Sequence, residues 1–405
     1  MSVPGIEKIG VYPGQFCLSI AELADARGFS RDEITKDLLS VERSVYAPWE
    51  DVVTMAVNAA DRILSEQDRQ SIGLLIAATE TSIDQEKAMS SWIHEALGLP
   101  EDCRNFEIKH ACTGMTDGIR MALAWLQTSG QDRKALVVTA DRSLIALGEP
   151  WEPVNGGAGA AVLLSSTADV LQYEGITAIY TRSITDVIRP TPWLETGNSQ
   201  ESLYAYLEAL DGALNRYLEM TPAAKQYDSY FKAHLYHTPF AGMAYRAHRT
   251  ALQIVHDSVS KQEARADFEK RVLPAIEYNR RIGASYGAST MIALTCLLHT
   301  TDMVDSGDRL SWFSYGAGSS GEFFAVVVGN NAIKNCYGDL LEQSLDNRQP
   351  VDVSQYEAFE RGINDAIGKQ DIVFDPDLPA LPSLCNRQYV LTGIDTYERK
   401  YQWVS

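Results

Sequence analysis

Apolar and polar positions along this 405-residue chain follow two alternating rhythms. Short, nearly continuous apolar runs predict buried strands at Ile72 to Ala78 (IGLLIAA), 134–141 (KALVVTAD), 157–165 (GAGAAVLLS) and 230–236 (YFKAHLY). Helical spacing appears after Cys112, where Ile119, Met121, Ala122 and Leu123 lie around one side, and again near 243–257 and 284–299. A strand pair is expected at 309–315 and 322–329. The stretch from Asp375 to Pro382 (DPDLPALP) reads as a turn-rich loop. Strands alternating with helices predict a parallel-rich α/β architecture with a twofold rhythm, and residues from about 167 to 229 as the connection between its two parts with its excursions.

Composition narrows the class. With 45% hydrophobic residues the chain can bury a large core, as one large domain or two intimately fused halves. No stretch approaches the ~20 apolar residues of a membrane span, and residues 1–20 carry no secretory pattern. Six scattered cysteines without a CxxC pair argue against a metal site or a disulfide framework and suit a reducing cytoplasm. A formal charge of −19 argues against nucleic acid as a partner. GGAGAA at 156–161 runs into a strand rather than a helix, so it is a weak dinucleotide loop.

Candidate chemistry starts at Ile108 to Leu123, IKHACTGMTDGIRMAL, which places Cys112 where a loop enters a helix. Unpaired N–H groups and the helix dipole at such a junction favour a thiolate. The other reading of a lone cysteine is a small buried side chain. A nucleophile also needs a base and a site for negative charge. His237 follows a strand that Pro239 ends, because proline cannot donate to a ladder. Glu80 likewise follows the strand ending at Ala78. Each has an ordinary alternative, a turn cap for the histidine and a solvated side chain for the glutamate.

Taken together, Thr79-Glu80-Thr81, the ACTG segment at Cys112 and HTPF from His237 resemble the 3-hydroxy-3-methylglutaryl (HMG) synthases among the thiolase-fold condensing enzymes. Further matches are APWED from Ala47, NGGAGAAVLL from Asn155, DVIRP from Asp186, YNRRIG from Tyr278, FSYGAG from Phe313 and the closing YERKYQWVS. The chain looks most like the acyl-carrier-protein branch, whose members insert β-branches into bacterial polyketides. The resemblance implies an α/β thiolase-like fold of two similar fused halves in a layered α/β/α/β/α sandwich. Residues 1–170 would carry Glu80 and Cys112, and residues 171–405, with inserted connections, would carry His237.

The resemblance also implies the reaction. Cys112 takes an acetyl group from a carrier, Glu80 removes a methyl proton, and His237 faces the ketone of a β-ketoacyl acceptor. Oxyanion donors are expected at Cys112 and in the turn from Ser314 to Gly318, with Gly316 and Gly318 permitting close approach. Thr113, Pro239 and Ala284 would line the acyl pocket. No metal or cofactor is implied, since the substrates ride on phosphopantetheine; acyl carrier proteins are the partners, with no membrane and a homodimer expected. An acidic enzyme must dock an acidic carrier through a local basic patch, and Arg246, His248 and Arg249 are the candidates, with Arg280 and Arg281 next. Two positions depart from the family. Ala284 stands where an Asn is usual, leaving Ser285 or Asn279 to substitute, and Thr113-Gly114 follows the cysteine. The alternatives are a coenzyme A-dependent synthase, a ketoacyl synthase of the same fold, or a carrier-docking partner without catalysis.

Overall fold

The computed structural model describes residues 4–144, 147–379 and 381–405. Its main sheet has nine strands: β1 (Gly5–Tyr12), β2 (Ile72–Ala78), β3 (Arg104–Ile108), β4 (Lys134–Arg142), β5 (Gly157–Ser165), β6 (Leu171–Thr181), β7 (Ala233–Tyr236), β8 (Arg309–Gly316) and β9 (Ser320–Val328). Their spatial order is β7-β8-β9-β6-β1-β5-β4-β2-β3. The contact between β6 and β1 is slight, with only Gly5 opposite Gln172 and Ile6 opposite Leu171. On each side of that seam the winding is the same. The first strand borders the last, the last borders the penultimate, and the penultimate runs parallel to the second. β3 extends the first side by one further parallel strand.

The layers follow from strands that are apolar on both faces. Leu74 and Ile76 of β2 point toward helix α3 (Gly114–Leu126) and helix α7 (Ser289–Thr300), in one cluster with Trp312 and Phe324 of the other side. Leu75 and Ala77, one residue out of step, pack instead with α1 (Val52–Asp61) and α2 (Met89–Ala96). On the far side, Phe313, Phe323 and Ala325 pack under α4 (Ser199–Met220), α5 (Ala241–Val255) and α6 (Lys261–Arg271). Helices therefore lie outside, between and outside the two parts of the sheet, which is the thiolase-like layering.

Several expectations need correction. The sheet is mixed rather than parallel-rich: parallel pairing is confined to β2–β3, β2–β4 and β7–β8. The strand expected from Tyr230 starts at Ala233, because Tyr227–Tyr230 closes a helical turn. The helix expected from Ala284 starts at Ser289, after Gly283 turns the chain at φ +83° and Tyr286–Ala288 makes a 3-10 turn. Residues 167–229, expected as the connection and its excursions, supply β6, a hairpin (Val187–Thr191 and Leu194–Gly197) and the 22-residue α4. Met121 is half exposed on α3. Among the described residues no helix is long and apolar enough to cross a membrane.

Candidate active site

The winding brings equivalent ends together. β2 delivers Glu80 two residues past its end, and β7 delivers His237 one residue past its own. The helices α3 and α7 start in the layer between the sheets, and Cys112 lies just before α3. Cys112, Glu80 and His237 line one cavity of about 270 Å³, together with Glu195, Pro239, Ala284 and Tyr286.

The Cys112 thiol donates a hydrogen bond to Glu80 Oε1 at 3.3 Å. Ala111, just before it, sits at φ +45°, a left-handed conformation that costs a non-glycine residue strain. The thiol is pushed well above its usual range, first by burial and then by Glu80, Asp141 and Glu195. These act against the thiolate that the helix junction favours. The helix start is present, but burial and the acidic side chains of Glu80, Asp141 and Glu195 outweigh it, so the thiol keeps its proton and presents it to Glu80. Glu80 is itself pushed up to about 8 by burial, then by Asp141 and Glu195.

Asp141 was not singled out by sequence reasoning. Its buried Oδ1 accepts from Thr79 Oγ1, Thr81 Oγ1 and the backbone N–H groups of Glu80 and Thr81, at 2.7–3.0 Å. It thus fixes the turn that carries Glu80. Arg189 of the hairpin donates to the Glu80 carbonyl at 2.8 Å and pairs with Glu195, which also accepts from the Tyr286 hydroxyl at 3.2 Å. The signal for Asp141 was available: it stands at a strand end, as Glu80 does. Glu195 and Tyr286 come from a hairpin and a 3-10 turn that the apolar pattern does not mark.

His237 is 3% exposed and neutral, pushed down to about 3 by burial. Its backbone N–H donates to the Phe313 carbonyl and its carbonyl accepts from the Tyr206 hydroxyl. Its Nδ1 lies 2.8 Å from Ser289 Oγ. Asn279 does not face the cavity in place of the missing family Asn. Its amide N–H groups go to Thr238 Oγ1 and the Ser289 carbonyl, each at 3.0 Å. Ser285 is buried with its hydroxyl unpartnered, outside the cavity lining.

Of the remaining candidates, Pro239 and Ala284 line the cavity. Thr113, Ser314, Gly316 and Gly318 stand behind it. Thr113 Oγ1 donates to the His110 carbonyl at 2.7 Å, and Ser314 Oγ accepts from Thr116 at 3.0 Å. A Cβ on Gly316 would come within 3.1 Å of the Thr113 nitrogen, so glycine permits the β8 end to approach the Cys112 loop. The Gly318 N–H is already given to Asp186 Oδ1 at 2.8 Å, which removes it as an oxyanion donor. Tyr315 and Ala317 supply cavity wall from this turn instead.

The docking patch also changes. His248 is wholly buried, hydrogen-bonded to Asp267 at 2.8 Å and Tyr236 at 3.1 Å, so it cannot meet a carrier. It lies roughly 200° around α5 from Arg246, two residues on at 3.6 per turn. Arg246 and Arg249 share the outer side, and Arg246 is exposed beside the cavity. Among the described residues neither pairs with a carboxylate, whereas Arg280 pairs with Glu277 and Arg281 with Glu42 and Asp346.

A thiol, a carboxyl and a neutral imidazole around one cavity in this fold define a condensing enzyme that works through an acyl-cysteine. Sequence profiles described as hydroxymethylglutaryl-coenzyme A synthase N terminal and C terminal match residues 2–169 and 251–403, and the chain belongs to that family. It is similar to the polyketide biosynthesis 3-hydroxy-3-methylglutaryl-ACP synthase PksG of Bacillus subtilis, 34% identical over 99% of both chains. A solved PksG structure superposes with a TM-score of 0.92 at 33% identity, covering 100% of both. The curacin-pathway HMG synthase, solved in complex with holo donor-ACP, superposes with a TM-score of 0.90 at 32% identity, covering 99% of this chain and 100% of that one.

Proposed function

We propose that this protein condenses a Cys112-bound acetyl group with a β-ketoacyl thioester on an acyl carrier protein, giving a 3-hydroxy-3-methylglutaryl-type intermediate for polyketide β-branching. The observation that carries the chemistry is the 3.3 Å contact of the Cys112 thiol with Glu80, in one cavity with His237. The full-length similarity to PksG and to an HMG synthase solved with its donor-ACP supports the carrier.

The steps follow from the groups present. Glu80, as carboxylate, accepts the thiol proton as Cys112 Sγ attacks the acetyl thioester. The carrier thiol leaves with that proton, and Glu80 is a carboxylate again. The tetrahedral oxyanion is met by the Cys112 N–H and an N–H of the turn starting at Gly316. Glu80 next removes a proton from the acetyl methyl; burial raises its basicity for this task. The enolate carbon bonds to the acceptor ketone carbon, and the alkoxide, hydrogen-bonded by His237, takes the proton that Glu80 holds. Water then cleaves the Cys112 thioester with Glu80 as base, releasing the product carboxyl and the free thiol.

In this reading residues 1–170 and 171–405 are the two halves, the enzyme is a homodimer, and its six free cysteines suit a reducing cytoplasm. Arg246 and Arg249 receive the carrier. The test is to mix the protein with acetyl-carrier and acetoacetyl-carrier and weigh the carriers. Gain of the 3-hydroxy-3-methylglutaryl group on the acceptor is expected. Faster turnover with the corresponding coenzyme A thioesters would move the reading to the coenzyme A-dependent enzymes.

A further inference from the structure

We infer that Ser289 is a positioning residue that holds His237 in its Nε2–H tautomer, so that the imidazole can only donate toward the acceptor ketone. The inference rests on the condensing role proposed for His237 and deepens it. Ser289 opens α7, and its side chain is fully buried against the end of β7. Two groups meet its oxygen: the Thr238 N–H donates to it at 3.3 Å, and His237 Nδ1 lies 2.8 Å away. The hydroxyl has one proton of its own to place. Among the described residues, His237 Nδ1 is the one acceptor bonded to it.

Were Nδ1 to carry a proton, the oxygen would receive two donors and the hydroxyl proton would be buried with no acceptor. Buried polar groups are costly when unpaired. The arrangement that satisfies every group has Ser289 O–H donating to Nδ1 and the ring proton on Nε2. Asn279 locks this pair from behind, donating to both Thr238 Oγ1 and the Ser289 carbonyl at 3.0 Å.

The consequence concerns which group does what. A carboxylate at Nδ1, as Asp267 stands to a nitrogen of His248, would hold a proton there and make the other nitrogen a base. A hydroxyl donor does the opposite. His237 is thereby excluded as the base for Cys112, a task left to Glu80, and is committed to the ketone oxygen.

The test needs no substrate at first. Histidine-selective 15N labelling, with His237 assigned by its loss in His237→Ala, reads the tautomer of the folded parent. The Nε2–H form is expected, and an Nδ1–H signal overturns the inference outright. Ser289→Ala is expected to give a mixture of tautomers. Acetyl transfer to Cys112 should stay within about 2-fold while condensation falls about 10–100-fold, the range typical when a partner orienting an imidazole is lost. Ser289→Thr, which keeps the hydroxyl, should restore both the tautomer and the rate. An unchanged tautomer in Ser289→Ala, or equal slowing of both steps, contradicts the inference. Should that variant not fold, the parent spectrum decides alone. A parent that forms no condensation product defeats the proposed function instead, and leaves the tautomer to be read independently.

Discussion

Glu80 and Cys112 illustrate what burial does to paired acids. Burial raises the proton affinity of both; Glu80 raises that of the thiol further, while the thiol's hydrogen bond partly offsets the rise at Glu80, and the pair rests with the proton on sulfur and the carboxyl at about 8. Condensation uses the carboxylate, so its rate from preformed acetyl-enzyme should rise as pH climbs through about 8. A pH–rate profile checks this, and Glu80→Gln should lie about 10²–10⁴-fold below the parent throughout. Stability moves the opposite way. The folded carboxyl titrates near 8 and the unfolded one near ~4.3, so folding favours the protonated form. Glu80's contribution is therefore present at pH 4 and lost as pH rises toward 8 and beyond. Glu80→Gln should melt higher than the parent at pH 9, with the gap shrinking at pH 5; a constant gap would mean the carboxyl is not perturbed. Sequence reasoning could single out Glu80, Cys112 and His237 because Glu80 and His237 follow strand ends and Cys112 precedes a helix start. It could not show the raised thiol, since that comes first from burial in the folded cavity and then from Glu80, Asp141 and Glu195, which the fold brings there from other elements.

Elements were legible where their apolar runs were long and buried. The strand 72–78 falls where the pattern placed it, because a strand buried on both faces has no polar position to blur its limits. Strand direction was not legible, since periodicity says nothing about which neighbour pairs with which. The start of α7 was displaced by the positive φ of Gly283 and the 3-10 turn after it, a backbone path that the apolar pattern does not mark. The end of β8 makes a prediction at this scale. Gly316 faces the Cys112 loop so closely that a Cβ would lie 3.0 Å from Thr113 Oγ1 and 3.2 Å from the His110 carbonyl. Gly316→Ala must push that loop by a few tenths of an ångström. Acetyl transfer to Cys112 should slow by roughly 10-fold, as small misplacements at a reacting centre do, while the melting temperature changes little. Single-turnover acylation measures it.

At the scale of the molecule, the −19 charge sets the docking problem. Most of the surface would repel an acidic carrier, so the proposed docking site is where Arg246 and Arg249, neither paired with a carboxylate among the described residues, lie beside the cavity mouth. Sequence spacing proposed Arg246, His248 and Arg249 together; the fold turns the two arginines outward and buries His248, because helical neighbours in sequence can face opposite sides. Reversing both arginines to Glu should lower the second-order rate with acetyl-carrier by about 10-fold or more. Added salt should slow the parent likewise. A pantetheine thioester without carrier should react at close to the parent rate, and equal losses with both substrates would place the arginines in the fold rather than the docking surface.

The central claim is that Cys112 carries the acetyl group and Glu80 is needed after it arrives. Intact mass spectrometry of Glu80→Gln, mixed with acetyl-carrier and then acetoacetyl-carrier, tests it directly. The account predicts an acetyl adduct that forms more slowly than in the parent, because Glu80 is also the base for the thiol, but that maps to Cys112, is absent in Cys112→Ser, and persists unconsumed when the acceptor is added. An adduct on another residue, or its conversion to product at the parent rate, would contradict it.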